Sequence, residues 1–272
     1  MPTRFDRDTA VTPAGPPGEG RFDARIDPGW WIVNGPNGGY LAAIVLRALE
    51  ARVDDPARAP RSLTLHYLRP PQEGPARVET RLERVGRTLT SATARLVQDD
   101  RVTVLALAAF ATGRSAPELR HATMPEVAPP ASLPRLDPAL ASIPMRARYE
   151  SRWALGAPPG TGRTREALAG GWIRLEEPAP LDAPRVAALT DAWPPAVFSS
   201  AEMGMLAGGA PTLDLTIHFR TTLPLPGARD DDYVLCVFRS REARDGFVEE
   251  DGELWSRDGV LIAQSRQLAL LA

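Results

Sequence analysis

The 272-residue chain is predicted to adopt an α+β fold built from two copies of one unit. Three observations predict this. A strand-like pattern, Ser62-Leu63-Thr64-Leu65-His66-Tyr67, returns as Asp214-Leu215-Thr216-Ile217-His218-Phe219. An apolar helical stretch precedes each copy, and three further strand-like runs follow it. A proline-dense segment separates the two halves.

Each element has a local reason. In the first half a short strand over residues 21–26 leads to Asn37, whose side chain can cap a helix through Tyr40-Leu41-Ala42-Ala43-Ile44-Val45-Leu46-Arg47-Ala48-Leu49. That stretch is apolar nearly all round, so the helix should be buried. The alternating strand at 62–67 ends at Pro70-Pro71 and is followed by strands over 77–85, 89–97 and 102–111, with a polar turn at 98–101. Pro117, Pro125, Pro129, Pro130, Pro134, Pro138 and Pro144 then mark an extended linker. In the second half a strand over 171–176 precedes a helix that Asp182 can cap and that runs through Val186 to Asp191, where Pro194-Pro195 must stop it. Strands over 214–219, 232–239, 247–256 and 260–271 follow, the last two joined at an Asp258-Gly259 turn. Each half is expected to end in an antiparallel meander of about four strands. A leading strand, a buried helix and a sheet able to wrap it make the hotdog layout, and two copies make a double hotdog. The expected division is a first hotdog domain over 1–115, a linker over 116–145 and a second hotdog domain over 146–272.

Composition removes several function classes. The apolar fraction of 43% supports packed cores. No apolar stretch approaches the ~20 residues that span a bilayer, so no membrane association is expected. Residues 1–20 are polar and rich in Pro and Gly, unlike a signal peptide. Cys236 is the only cysteine, which excludes an internal disulfide and fits a cytoplasmic protein; its apolar strand setting marks a packed, inert thiol. The net charge of −2 argues against nucleic acid as a partner. All 32 Lys or Arg residues are arginine, which excludes Schiff-base and pyridoxal-phosphate chemistry and a lysine-bearing P-loop. His66, His121 and His218 fall in no metal-ligand spacing, so neither a metal nor another cofactor is expected. No Gly-x-Ser-x-Gly or Gly-x-Gly-x-x-Gly motif occurs.

Four segments carry a resemblance. They are Asn34-Gly35-Pro36-Asn37-Gly38-Gly39-Tyr40-Leu41, Leu65-His66-Tyr67-Leu68-Arg69-Pro70, Thr212-Leu213-Asp214, and the stretch from Arg257-Asp258-Gly259 through Gln264-Ser265-Arg266-Gln267. Together they resemble the double-hotdog acyl-CoA thioesterases, the group of bacterial thioesterase II and the peroxisomal acyl-CoA thioesterases. The resemblance covers nearly the whole chain. It implies a catalytic Asp late on the second helix, a Thr or Ser opening the next strand and a Gln on the last strand: here Asp191, Thr212 and Gln267. It implies coenzyme A as part of the substrate. Two departures stand out: Leu215 follows Asp214 where the family often has His, and Trp193-Pro194-Pro195 follows Asp191.

The chemistry suits these side chains. A thioester is already activated, so a held water suffices as nucleophile. A carboxylate can take that water's proton, a contribution of order 10²–10⁴ in rate. A hydroxyl and an amide can orient the water. Gly38 and Gly39, lacking Cβ atoms, would let a thioester approach the helix N-terminus, whose free N–H groups could hold the oxyanion. By internal alignment Ala109 of the first half stands where Gln267 stands in the second, so one site per chain is expected. Residue by residue the alternatives stay open: Asp191 as a surface carboxylate, Thr212 as a strand opener, Gln267 facing solvent, Trp30-Trp31 as packing or as a channel wall. A non-catalytic acyl-thioester or lipid-binding protein is the rival function, and an enoyl-thioester hydratase or dehydratase the third. Exposed sheet edges favour a homo-oligomer, a dimer or dimer of dimers.

Overall fold

A strand with one apolar face must cover it, and here the strands of both halves do so in one thirteen-stranded antiparallel sheet. The computed structural model describes residues 1–16, 18–137, 143–158, 164–200 and 209–271. The first half supplies β1 (Thr12–Ala14), β2 (Arg21–Ile26), β3 (Ala59–Tyr67), β4 (Gly74–Val85), β5 (Leu89–Gln98) and β6 (Arg101–Ala111). The second supplies β7 (Tyr149–Gly156), β8 (Ala167–Leu175), β9 (Thr212–Phe219), β10 (Val234–Ser240), β11 (Ala243–Arg244), β12 (Phe247–Ser256) and β13 (Leu261–Leu270). The strand order is β1-β2-β4-β5-β6-β3-β9-β13-β12-β10-β8-β7, with β11 paired to β12 off this path.

The expected four-strand meander needs correction. β4, β5 and β6 do form one, but β3 crosses over and pairs with β6 rather than with β4. The physical reason is that β3 has two partners to satisfy, β6 on one side and β9 on the other. β3 and β9 are the two copies of the repeated pattern. They pair antiparallel, with Thr64 opposite its own counterpart Thr216 and the two hydroxyls 3.1 Å apart. The repeat is therefore the seam of the molecule, and a pseudo-twofold relation runs through it. His66 and His218 lie exposed on the outer face of this seam, opposite Asp214 and Ser62. Strand β7, at the far edge, carried no alternating signal and was not anticipated.

The covered face holds α2 (Gly38–Val53), whose Leu41 to Leu46, Ala48 and Leu49 are all buried. Asn37 Oδ1 accepts from Tyr40 N at 2.9 Å, the cap its position suggested. Each fully buried Leu or Ile on α2 contributes roughly 1.5–3 kcal/mol. The second helix, α3 (Ala183–Leu189), is shorter than expected. Asp182 caps it through Arg185 N at 2.9 Å, but it ends at Thr190, whose hydroxyl turns back to Ala187 O at 2.8 Å. Asp191 thus stands just beyond the helix rather than on it. α2 and α3 pack against each other, and a single apolar core spans both halves.

A short N-terminal helix, α1 (Arg4–Asp8), ties the two together: Asp6 meets Arg47 of α2 at 2.9 Å and Arg185 of α3 at 2.7 Å. The proline-rich segment is not free of the fold. Met124, Val127 and Leu133 pack on Trp172, Leu235, Val237 and Trp255, on a second apolar cluster, and Trp172 Nε1 donates to Ala128 O at 2.9 Å. Among the described residues no helix is long and apolar enough to cross a membrane.

Candidate active site

Both halves build the site. From the second, the turn after α3 delivers Asp191; from the first, the start of α2 receives it. Asn37 does two things at once. Its Oδ1 caps α2, and its Nδ2 donates to Asp191 O at 2.7 Å and to Asp191 Oδ2 at 2.8 Å. Gly39 N donates to the same Oδ2 at 3.1 Å. The carboxylate therefore sits at the positive end of α2, where free N–H groups favour negative charge. Burial nevertheless dominates: desolvation raises Asp191 to about 6, against the opposing pull of Gly39, Gly38 and Asn37.

The glycines prove to matter for packing. A Cβ on Gly39 would lie 2.5 Å from Ala188 O of α3, and one on Gly38 would lie 3.0 Å from Asp191 Oδ2 and 3.1 Å from the Tyr67 ring. Their smallness lets α2 approach α3 and Asp191. The Gly39 N–H that the sequence suggested for an oxyanion is occupied by Asp191. Tyr67 Oη donates to Gly38 O at 2.8 Å and pins this first turn; burial, with the Asp191 charge second, holds its phenol well above the ordinary range. The repeat counterpart of Tyr67 is Phe219, so only the first half can supply this hydroxyl.

The other two predicted side chains meet directly. Thr212, at the start of β9, donates from Oγ1 to Gln267 Oε1 at 3.1 Å. Gln267 is buried on β13, on the inward side with Ser265 and Ala269. Its Nε2 donates to Glu250 Oε1 at 2.8 Å, and Glu250 Oε2 accepts from Ala196 N at 2.6 Å. Glu250 lies on β12 directly opposite Gln267. Burial raises it to about 7, with Asp191 and Glu249 adding to the rise and the Ala196 and Gln267 donors opposing it. Thr212, Gln267 and Glu250 thus form one hydrogen-bonded chain, and the Asp191 charge reaches Glu250.

Two family models cover most of the chain. An acyl-CoA thioesterase N-terminal domain matches residues 27–111, and an acyl-CoA thioesterase C-terminal domain matches residues 122–271. The chain belongs to the acyl-CoA thioesterase family. Among solved structures similar to it, a hot dog fold protein of unknown function from Alicyclobacillus acidocaldarius has a TM-score of 0.87 at 28% identity, over 99% of this chain and 98% of that one. A thioesterase II candidate from Thermobifida fusca has a TM-score of 0.83 at 30% identity, over 99% of both chains. An acyl-CoA thioesterase II from Mycobacterium marinum shares the fold at a TM-score of 0.75 and 20% identity, over 98% and 97% of the two chains. No match was found among curated proteins.

Within this thioesterase-family fold, two polar residues of the site escaped the sequence. Asn37 was read only as a helix cap; the signal was that Asn, unlike Ser or Asp, keeps an amide N–H₂ to donate. Glu250 lies in the strand expected over 247–256 without being singled out there. The alternation Val248, Glu250, Gly252, Leu254 places it inward, on a face where a carboxylate needs a partner. Cys236 is fully buried and burial pushes its thiol far up, which fits an inert packed thiol. Trp30 stacks on Tyr40 at 5.1 Å and donates from Nε1 to Asp8 Oδ2 at 2.9 Å, so it is packing rather than a channel wall. Among the described residues no group of three His, Cys, Asp or Glu could hold a metal ion.

Proposed function

We propose that this thioesterase-family protein hydrolyses acyl-coenzyme A to a free acid and coenzyme A, with Asp191 as general base and Thr212 and Gln267 orienting the attacking water. The carrying observation is Asp191 itself: a carboxylate raised to about 6, gripped by Asn37 and Gly39. A base poised near the working pH combines a large ionised fraction with a real appetite for a proton. Its grip on the first half's helix fixes its position.

Asp191 takes a proton from water as the water oxygen bonds to the thioester carbon. The tetrahedral intermediate then expels the coenzyme A thiolate, which recovers the proton from Asp191. Thr212 Oγ1 gives its own hydrogen to Gln267 Oε1, so towards the water it presents lone pairs. A water with one hydrogen on Asp191 and the other on Thr212 has its own lone pair free for attack. No metal or redox cofactor is required by these steps.

A groove of about 790 Å³ shares a wall with the site, the turn Ala196–Ser199. Arg165, Arg239 and Arg241 line it beside Glu166 and Glu242, with Arg241 also paired to Asp251, and guanidinium groups suit the phosphates of coenzyme A. A binding protein without turnover is the weaker reading, because a thiolester-binding role needs no carboxylate raised into the range of a base. The test is thiol release from acyl-coenzyme A between pH 5 and 9. Turnover whose kcat/KM is lost on the acid side as the site takes up protons, Asp191 at about 6 among them, supports the mechanism. Binding without thiol release at any pH refutes it.

A further inference from the structure

We propose that Glu250 is a positioning residue: its protonation sets the direction of the Gln267 amide, and through it the direction of the Thr212 hydroxyl. The inference rests on the thioesterase mechanism above for its effect on turnover, and on geometry alone for the amide.

The donor directions leave little freedom. Ala196 N–H is a backbone donor and cannot turn, so Glu250 Oε2 must accept from it. When Glu250 is ionised, Oε1 also accepts, and Gln267 must turn its NH₂ towards it. Gln267 Oε1 then faces Thr212 and takes the hydroxyl hydrogen. A proton on Oε2 would crowd the Ala196 N–H, so the added proton belongs on Oε1, where the Gln267 oxygen can accept it. The O–H on Oε1 now donates, so Gln267 must rotate to bring its own Oε1 to Glu250 and its NH₂ to Thr212. Thr212 Oγ1 then accepts, and its freed hydrogen points towards the water. A donor aimed at the water ties up one of its lone pairs and leaves its second hydrogen without the Thr212 acceptor, so the water is no longer held for attack.

The cluster is placed for such a change. Glu250 is buried and lies opposite Gln267 on the neighbouring strand. The charges that bear on it are Asp191, beyond α3, and Glu249, on its own strand; both are negative and favour uptake of a proton. Among the described residues, the turn at 196–199 contributes the Ala196 N–H and β13 the neutral Gln267. Burial raises its carboxyl to about 7, so the change falls near neutral pH.

Glu250→Gln gives the decisive variant. Its side-chain oxygen must accept from Ala196 N, so its NH₂ faces Gln267 and holds that amide in the rotated direction at every pH. The expected result is a kcat lower by about ten- to a hundredfold with KM within about twofold, as for a misdirected reactant. The double variant E250Q/Q267E restores a carboxylate acceptor for the Thr212 hydroxyl and should recover most of the loss. Amide direction is read separately from turnover by ¹⁵N-glutamine labelling, which lights four side chains: Gln72, Gln98, Gln264 and Gln267. The pair lost in Gln267→Ala should move with pH through neutrality in the wild type and stay fixed in E250Q. That wild-type titration decides the matter even if E250Q does not fold. A Gln267 amide that does not move between pH 5.5 and 8.5, an unchanged kcat in E250Q, or a loss that the double variant does not repair would overturn the proposal. Absence of turnover in the wild type alone would instead count against the thioesterase mechanism, with the amide titration still standing or falling on its own.

Discussion

Replacing Asp191 by Asn is expected to stabilise the fold at pH 8 while removing turnover. The magnitude follows from burial. Desolvation carries Asp191 from 3.8 to about 6, close to two pH units at roughly 1.4 kcal/mol each, or about 3 kcal/mol for keeping it ionised. The side chain retains some accessible surface, so solvent screening reduces this to about 1–2 kcal/mol. The sign follows from linkage: a carboxyl raised on folding binds its proton more tightly in the folded state. The contribution of Asp191 to stability is therefore fully present below about pH 4, is lost as pH rises through about 6, and does not return above. Asn cannot ionise and keeps an oxygen to accept from Asn37 and Gly39. The melting temperatures of Asp191→Asn and wild type should be close at pH 4, and the variant should melt about 2–6 °C higher at pH 8. Thermal unfolding followed by circular dichroism at both pH values measures this. A variant that melts below the wild type at pH 8, or a difference independent of pH, would refute the claim that Asp191 is held ionised at a cost to the fold.

Other changes separate the roles of neighbouring groups. Asn37→Ala removes the α2 cap, worth about 1 kcal/mol, and a donor that favours the charged Asp191; the acid limb of the pH–rate profile should move upward, and a profile that stays in place would detach Asn37 from the base. Gly39→Ala puts a Cβ 2.5 Å from the Ala188 carbonyl, and urea denaturation should show a loss of about 1–3 kcal/mol; no loss would mean the two helices do not meet as described. Thr212→Val keeps the shape and removes the hydroxyl, so kcat should fall at least about tenfold with little change in KM, whereas a rise in KM alone would make Thr212 a binding group.

The periodic and local features were legible in the sequence. Asn37 and Asp182 cap the helices that they were expected to cap, and the repeat at 62–67 and 214–219 marked two related halves. What the repeat could not convey was partner choice. Whether β3 lies beside β4 or β6 depends on contacts between distant strands, and alternation along one strand says nothing about its neighbour. Thr212 and Gln267 came from a resemblance rather than from pattern, and their meeting depends on the β9–β13 register. Glu250 shows the limit most plainly. In the run Val248-Glu249-Glu250-Asp251 every acidic residue reads as solvated, and only the pairing of β12 with β13 shows that Glu250 faces Gln267 and the interior. Asn37 escaped because its capping role already explained it; the Asp191 that it also holds lies 154 residues away.

The central claim is most directly tested by thiol release from short, medium, long and aromatic acyl-coenzyme A substrates, with wild type and Asp191→Asn side by side. The mechanism expects turnover of at least one substrate by the wild type, reduced by at least about a hundredfold in a variant that remains folded. No turnover across the panel, or equal turnover by the two proteins, would contradict it.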